Sequence, residues 1–332
     1  MNVGSLDRHG EVWRFILHRL KRRTRVALLL VVDSKGSAPG KTGFKMAVAS
    51  DGKLCGTIGG GAIEHDVVED ARALLRQPRP RASVMLKVHQ LQHPQTSGMI
   101  CGGQQTVALY PCLPKDRSAV KSLLACLEGG KPGVLRLSAS GLSFNPGRQS
   151  KEEHCFVQHG TRWRYTENVR TPDTLFIVGG GHVGLALSCV MATLGFRIVV
   201  FDERPDVDTL VQNIYAHEKR VMPFTKVGRA IPDRDRHYAV IMTPAHSADE
   251  AVLRQLVRKR LNYLGLMASA WKARALLGKL RAEGCPTEML RRVRSPVGLP
   301  IASHTPAEIA VSIAAEIIQV RNTGFNPRAV AE

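Results

Sequence analysis

The chain has 332 residues, 44% of them hydrophobic and 5% aromatic, which is long enough for two domains with separate cores and ordinary for a globular α/β protein. Lysine and arginine number 47 against 28 aspartates and glutamates, a formal charge of +19 that favours an anionic ligand, an acidic partner or nucleic acid. Nothing in the chain has the apolar length of a membrane span or a signal-peptide core, so the expectation is a cytoplasmic protein without membrane contact. The basic residues are scattered (Arg22, Arg23 and Arg25; Arg79 and Arg81; Arg258 and Arg260; Arg291, Arg292 and Arg294) without interleaved aromatics or a reading motif, which argues against nucleic acid. The 7 cysteines form no CxxC pair, and free thiols in a reducing compartment are the simplest account.

Apolar positions at helical spacing predict a helix over 11–22, and the unbroken run Val26 to Val32 predicts a buried strand. A turn-rich loop, Asp33 to Gly40, leads to short strands over 44–49 and 54–58, separated by an Asp51-Gly52 hairpin turn. The second of these delivers Gly59-Gly60-Gly61 to a helix over 62–75, a place where free N–H groups and the helix dipole favour an anion. Strands over 83–88 and 105–110 flank a loop holding Gly98-Met99-Ile100-Cys101-Gly102-Gly103, and an amphipathic helix occupies 115–128. The stretch 129–172 is polar and rich in Gly and Pro and reads as short strands grading into a linker, with the domain boundary near 165–173.

From residue 174 strands and helices alternate: strands at 175–178, 197–201, 238–242 and 263–267, helices at 183–194, 248–259 and 305–320. This pattern predicts a doubly wound parallel sheet. The expected division is an N-terminal α/β domain over 1–128, strands and linker over 129–172, the doubly wound domain over 173–322 and a loose tail over 323–332.

Gly179, Gly181 and Gly184 form GxGxxG directly after an apolar strand and at the opening of a helix, and Asp202-Glu203 closes the next strand about twenty residues on. That context predicts a Rossmann nucleotide site, with Gly181 allowing close approach of a pyrophosphate and Asp202 meeting a ribose hydroxyl. His182 faces the same loop, as a structural residue or a phosphate-side hydrogen bonder.

The first glycine turn has neither a Walker lysine nor GxGxxG spacing, so general chemistry does not name its ligand. The run Gly36-Ser37-Ala38-Pro39, then Lys45-Met46-Ala47-Val48, then Gly56-Thr57-Ile58-Gly59-Gly60-Gly61 with Glu64, and Met99-Ile100-Cys101-Gly102-Gly103, resembles the XdhC/CoxI family of molybdenum-hydroxylase maturation factors. The GxGxxG turn, Asp249-Glu250, Gly265 with Ser269, Ser295-Pro296-Val297-Gly298-Leu299 and Thr305-Pro306-Ala307-Glu308-Ile309-Ala310 are similar to that family's C-terminal domain, so the likeness runs from about 24 to 322.

The resemblance implies a non-catalytic carrier of the molybdenum cofactor, molybdopterin or its dinucleotide form. Such a carrier holds the cofactor while a cysteine desulfurase supplies sulfide, then passes it to an apo molybdenum hydroxylase of the xanthine or aldehyde dehydrogenase type. On that reading Gly36, Ser37 and Lys41, the Gly59–Gly61 turn with Glu64, and Cys101-Gly102-Gly103 serve the pterin or its phosphate. Gly179, Gly181, His182, Gly184 and Asp202 take the nucleotide end. Glu64 either caps the helix start or binds a pterin N–H edge. Cys101 is either a partly exposed thiol that touches molybdenum or relays sulfur, with Cys55 as second choice, or a buried cysteine packing as a small hydrophobe. The chain departs from the family at Gly40-Lys41, where an arginine is usual, and at Ala268 and Pro300. A homodimer is expected from the family and from the apolar face of the 305–320 helix. The rival reading is an NAD(P)-dependent oxidoreductase with His246 as acid–base residue, which leaves the first half of the chain without a task.

Overall fold

A computed structural model describes residues 10–89, 103–170 and 172–323. They fall into two compact units, 10–170 and 172–323. The first unit runs α1 (Glu11–Lys21), β1 (Val26–Lys35), β2 (Lys45–Ala49), β3 (Leu54–Gly56), α2 (Gly61–Arg76), β4 (Ser83–His89), β5 (Gly103–Cys112), α3 (Arg117–Glu128), β6 (Gly133–Ser138), β7 (Gly141–Pro146), β8 (His154–His159) and β9 (Arg162–Val169). Its strands make two antiparallel sheets, β3-β2-β1-β5-β4 and β7-β6-β9-β8.

Strand β1 is apolar throughout because both its faces are covered. Val26, Leu28, Leu30 and Val32 point into a core shared with α1, α3 and the four-stranded sheet, whereas Ala27, Leu29 and Val31 pack with Ile63, Val67, Ala71 and Leu74 of α2. Residues 129–172 therefore do more than link: strands β6 to β9 carry Leu135, Leu137, Trp163 and Tyr165 into the first core. Their exposed faces are polar, and that alternation is why the stretch reads as loose in the sequence. A buried polar chain joins the two sheets. Lys45 Nζ donates to Glu167 Oε1 at 2.8 Å, Tyr165 donates its hydroxyl to Glu167 Oε2 at 2.9 Å, and His154 Nδ1 lies 2.7 Å from the same hydroxyl. Burial and the Glu167 charge push the Tyr165 phenol far up, so it keeps its proton and remains a donor.

The second unit runs β10 (Thr174–Val178), α4 (His182–Thr193), β11 (Arg197–Asp202), α5 (Asp208–Val211), β12 (Glu218–Val221), α6 (Val227–Ala230), β13 (His237–Ile241), α7 (His246–Leu256), β14 (Tyr263–Leu266), α8 (Ala270–Ala282), α9 (Thr287–Arg291), β15 (Val293–Arg294) and α10 (Pro306–Thr323). All its strands are parallel in the order β12-β11-β10-β13-β14-β15, which is the 3-2-1-4-5-6 order of dinucleotide-binding folds. The doubly wound sheet predicted from the alternation is present. Helices α4 and α10 cover one face, and α6 to α9 cover the other.

The apolar face of α10 turns inward: Ala310, Ile313, Ala314, Ile317 and Val320 pack on α4 and the sheet. That face supports no dimer, because it is consumed within its own unit. Glu316, in the middle of this face, is fully buried and anchors the Ser295 to Leu299 loop. Its Oε2 accepts from Gly298 N at 2.8 Å and from the Tyr263 hydroxyl at 2.6 Å, and Arg294 lies 3.6 Å from Oε1. Gly298 has φ +93°, and a Cβ there would overlap Ser312 Oγ. Tyr263→Phe removes a donor from this dry carboxylate and should cost about 1–3 kcal/mol in urea unfolding, with no new exposed surface.

Candidate functional site

Three separate pieces of the first unit meet at one end of the five-stranded sheet. They are the loop after β1, the turn between β3 and α2, and the start of β5. Glycine makes the meeting possible. A Cβ on Gly40 would overlap the Ile58 carbonyl, one on Gly59 would overlap Gly40 N, and one on Gly103 would overlap Ala38 N, so backbone lies on backbone at each point. Gln105, buried at the start of β5, accepts from Gly40 N at 3.2 Å and locks the loop to the strand. Ser37 is exposed on this loop, and Lys41 Nζ reaches back to the Gly36 carbonyl at 3.3 Å. Gly36, Ser37, Lys41, Gly59, Gly60, Gly61, Glu64 and Gly103 are thus neighbours in this unit, while Cys101 and Gly102 lie outside the described residues.

The turn into α2 has positive φ at three successive glycines, +124° at Gly59, +77° at Gly60 and +72° at Gly61. Three amides of this turn, those of Ile58, Gly59 and Gly60, are held within the chain. Glu64 Oε2 accepts from Thr57 Oγ1 at 2.5 Å, Ile58 N at 2.8 Å and Gly60 N at 3.0 Å, and Gly59 N donates to Thr57 Oγ1 at 3.1 Å. A phosphate expected at this turn would share it with the chain's own carboxylate, which already takes the amides of Ile58 and Gly60. Room remains beside Gly60, where a Cβ would meet no atom within 4 Å.

In the second unit the glycines divide their work by space. A Cβ on Gly179 would overlap the Met242 carbonyl at the end of β13, and one on Gly184 would overlap the Gly179 carbonyl, so these two permit the tight turn and the close helix. Gly181 meets nothing within 4 Å and opens onto free space at the α4 N-terminus, where His182 stands exposed as the first helical residue. Asp202 does not reach out to a ligand. It is 0% exposed, its Oδ2 accepts from Gly180 N at 2.8 Å and Arg204 at 3.0 Å, and its Oδ1 accepts from the Arg204 backbone and Nε, each at 3.0 Å. The predicted ribose contact is corrected for this physical reason: Arg204, two residues on, folds back and covers the carboxylate bidentately. Burial pushes the Asp202 carboxyl up, but the Arg204 and Gly180 bonds outweigh it and hold it below the usual carboxylate range. Arg204 was not foreseen, since a single arginine after a strand-end acid has no distinguishing signal.

Two family models match the chain, the XdhC and CoxI family over residues 19–88 and the XdhC Rossmann domain over 175–317. The chain belongs to the XdhC and CoxI family. Its relatives include the molybdenum cofactor insertion chaperone PaoD of Escherichia coli K12, 25% identical over 333 residues covering 95% of this chain and 89% of that protein. A probable xanthine dehydrogenase subunit of Bacillus subtilis 168 is 25% identical over 331 residues, with 91% and 95% covered. YqeB of E. coli K12 is 27% identical over 304 residues, yet the chain spans only 43% of that relative's length. A crystal structure of a xanthine dehydrogenase from Bacillus halodurans superposes with a TM-score of 0.72 at 25% identity, covering 94% of this chain and 98% of that one.

The described cysteines of this XdhC and CoxI member are free thiols. Burial and the Glu11 charge push the Cys55 thiol up, and burial with Asp116 pushes Cys112 up further, so Cys55 is a poor thiolate. His246, the residue of the rival reading, is exposed at the start of α7. Thr243 and Asp249 bond one another beside it at 2.6 Å.

The Glu64 cap has a definite pH signature. Burial raises its carboxyl, but bonds from Thr57, Ile58, Gly60 and Gly59 prevail and lower it. The cap is therefore fully formed above the ordinary glutamate range near pH ~4.3 and is lost as pH falls through the lower folded-state value. Glu64→Gln should cost about 1 kcal/mol at neutral pH, as capping residues do. The difference between variant and wild type in urea midpoints should shrink on acidification toward about pH 3.

Proposed function

We propose that the chain binds the molybdenum cofactor and delivers it to a molybdenum hydroxylase of the xanthine dehydrogenase type. What carries this reading is the meeting of Gly40, Gly59 and Gly103 in the first unit. It joins motifs far apart in sequence, with Gly40 and Gly103 buried where they meet and Gly36, Ser37 and Gly61 exposed, the place proposed for a flat pterin. The kinship with a molybdenum cofactor insertion chaperone, covering 95% of the chain, supports the same reading.

The fit can be read from the two open glycines. Gly60 beside the first turn and Gly181 beside the second have space that a Cβ would fill, which supports a ligand lying against backbone there. The pterin belongs to the Gly36–Lys41, Gly59–Gly61 and Gly103 region, with Glu64 setting the turn's shape. The second unit, taken by itself, offers Gly181 and the exposed His182 to a nucleotide or phosphate, with Asp202 acting through Gly180 to hold that turn. When bound, the cofactor brings the metal and its dithiolene; the protein supplies shape, exclusion of water and release. Cys101 is the thiol proposed to touch molybdenum or relay sulfur. Its part, and that of a cysteine desulfurase, rest on the family resemblance alone, as does a cytoplasmic setting.

The test is retention of pterin. Protein purified from cells that make the cofactor is oxidised with acid iodine and its pterin fluorescence measured. Wild type should carry pterin. Gly181→Val, at an extended backbone with φ −72°, should lose about tenfold in retention where the cofactor bears a nucleotide. Gly60→Asn should lose as much, read on its folded fraction, because φ +77° with ψ −173° is a conformation that only glycine adopts freely. The thermal midpoint of Gly181→Val should change little, because its Cβ meets no atom within 4 Å, whereas that of Gly60→Asn should fall through backbone strain. Wild type without pterin above background, or variants that retain it fully, contradict the reading.

A further inference from the structure

Helix α8 presents two opposed faces. Ala273, Leu276 and Leu280 enter the core of the second unit. On the opposite side Trp271, Arg274, Ala275, Gly278, Arg281 and Ala282 follow at i, i+3, i+4, i+7, i+10 and i+11, a single stripe of a 3.6-residue helix, and every one is exposed. Trp271 is 77% exposed, whereas the other two tryptophans, Trp13 and Trp163, are 3% and 6% exposed. A tryptophan left in water forfeits the burial of the largest apolar side chain, and in protein interfaces tryptophan and arginine are the residues that most often carry the binding energy.

The charges on the stripe are uncompensated. Glu250 and Glu283, the carboxylates beside α8, are taken by Arg254 and Lys279 on its flank. No ion pair within 4.0 Å holds Arg274 or Arg281 among the described residues, while Lys272, off the stripe, acts on the Asp249 carboxylate. Gly278 and the two alanines keep the stripe low between the aromatic and the guanidinium groups. A second copy of this chain is a poor occupant, because it would set two such stripes against each other between molecules of formal charge +19 each. The complementary surface is acidic, with an apolar recess for the indole.

We propose that the outward stripe of α8, anchored by Trp271 and flanked by Arg274 and Arg281, is the docking surface for an acidic protein partner. The identity of that partner as the recipient hydroxylase rests on the chaperone reading above.

The test uses the full chain titrated with an apo molybdenum hydroxylase of the xanthine dehydrogenase type, followed by binding and by tryptophan emission. Trp271 should dominate the solvent-exposed emission, so docking should shift the spectrum to the blue, and Trp271→Ala should abolish the shift. Trp271→Ala and the pair Arg274→Glu/Arg281→Glu should each weaken binding by at least about tenfold, the scale of an interface anchor. The pair Arg79→Glu/Arg81→Glu makes the same charge change on the first unit and should weaken it far less. The proposal is overturned if both charge-reversal pairs weaken binding equally, if emission does not move on binding, or if wild type does not bind the hydroxylase. Stripe-dependent capture of a short DNA duplex in its place also overturns it. Pterin measured in the same preparations separates the two ideas. Pterin retained with stripe-independent binding removes the docking surface alone, and stripe-dependent binding without pterin removes the chaperone reading alone.

Discussion

Contact between peptide backbones, with no side chain between them, is the constraint on which the candidate site depends. Gly40 against the Ile58 carbonyl, Gly59 against Gly40 and Gly103 against Ala38 bring the loop after β1, the turn before α2 and the start of β5 within touching distance. Any larger residue at these points would push the segments apart, since the opposing atoms are main chain and cannot rotate away. The rest of the first unit serves this meeting. β1 is buried on both faces and so cannot shift, Gln105 ties the loop to β5, and the Lys45–Glu167–Tyr165 chain fixes the strand beneath the turn to the second sheet.

Both glycine turns carry a carboxylate of their own. Glu64 accepts from the amide of Gly60, and Asp202 accepts from that of Gly180, so in each case an internal anion holds the turn that leads into the helix. The turns are therefore rigid before any ligand arrives, and their local positive potential is partly spent. They offer space as well, at Gly60 and at Gly181. The guanidinium groups of Arg274 and Arg281 on α8 add a second place where the positive charge of the chain is exposed.

Much of this was legible in the sequence because it rests on period and punctuation. The apolar run of β1, the helical spacing of α2 and the GxGxxG turn between β10 and α4 each announce their element, and the alternation after residue 174 gives the parallel sheet. What escaped is set by tertiary contact. Strand β12, Glu-Lys-Arg-Val at the edge of its sheet, and the two-residue β15 have too little apolar pattern to read. Glu316 lies on an apolar helix face, where a lone acid gives no hint that it holds a distant loop. Spacing places Asp202 correctly at a strand end, yet only the fold shows Arg204 folded over it. The convergence of Gly40, Gly59 and Gly103 is likewise invisible to periodicity, because they stand on different elements.

Amide hydrogen exchange on the first unit, compared between cofactor-loaded and cofactor-free protein, tests the central claim most directly. If one pterin sits where the three backbones meet, exchange in 36–41, 57–61 and 103–105 should slow together on loading. Protection that is absent from these segments, or confined to 179–184 of the second unit, would contradict the account.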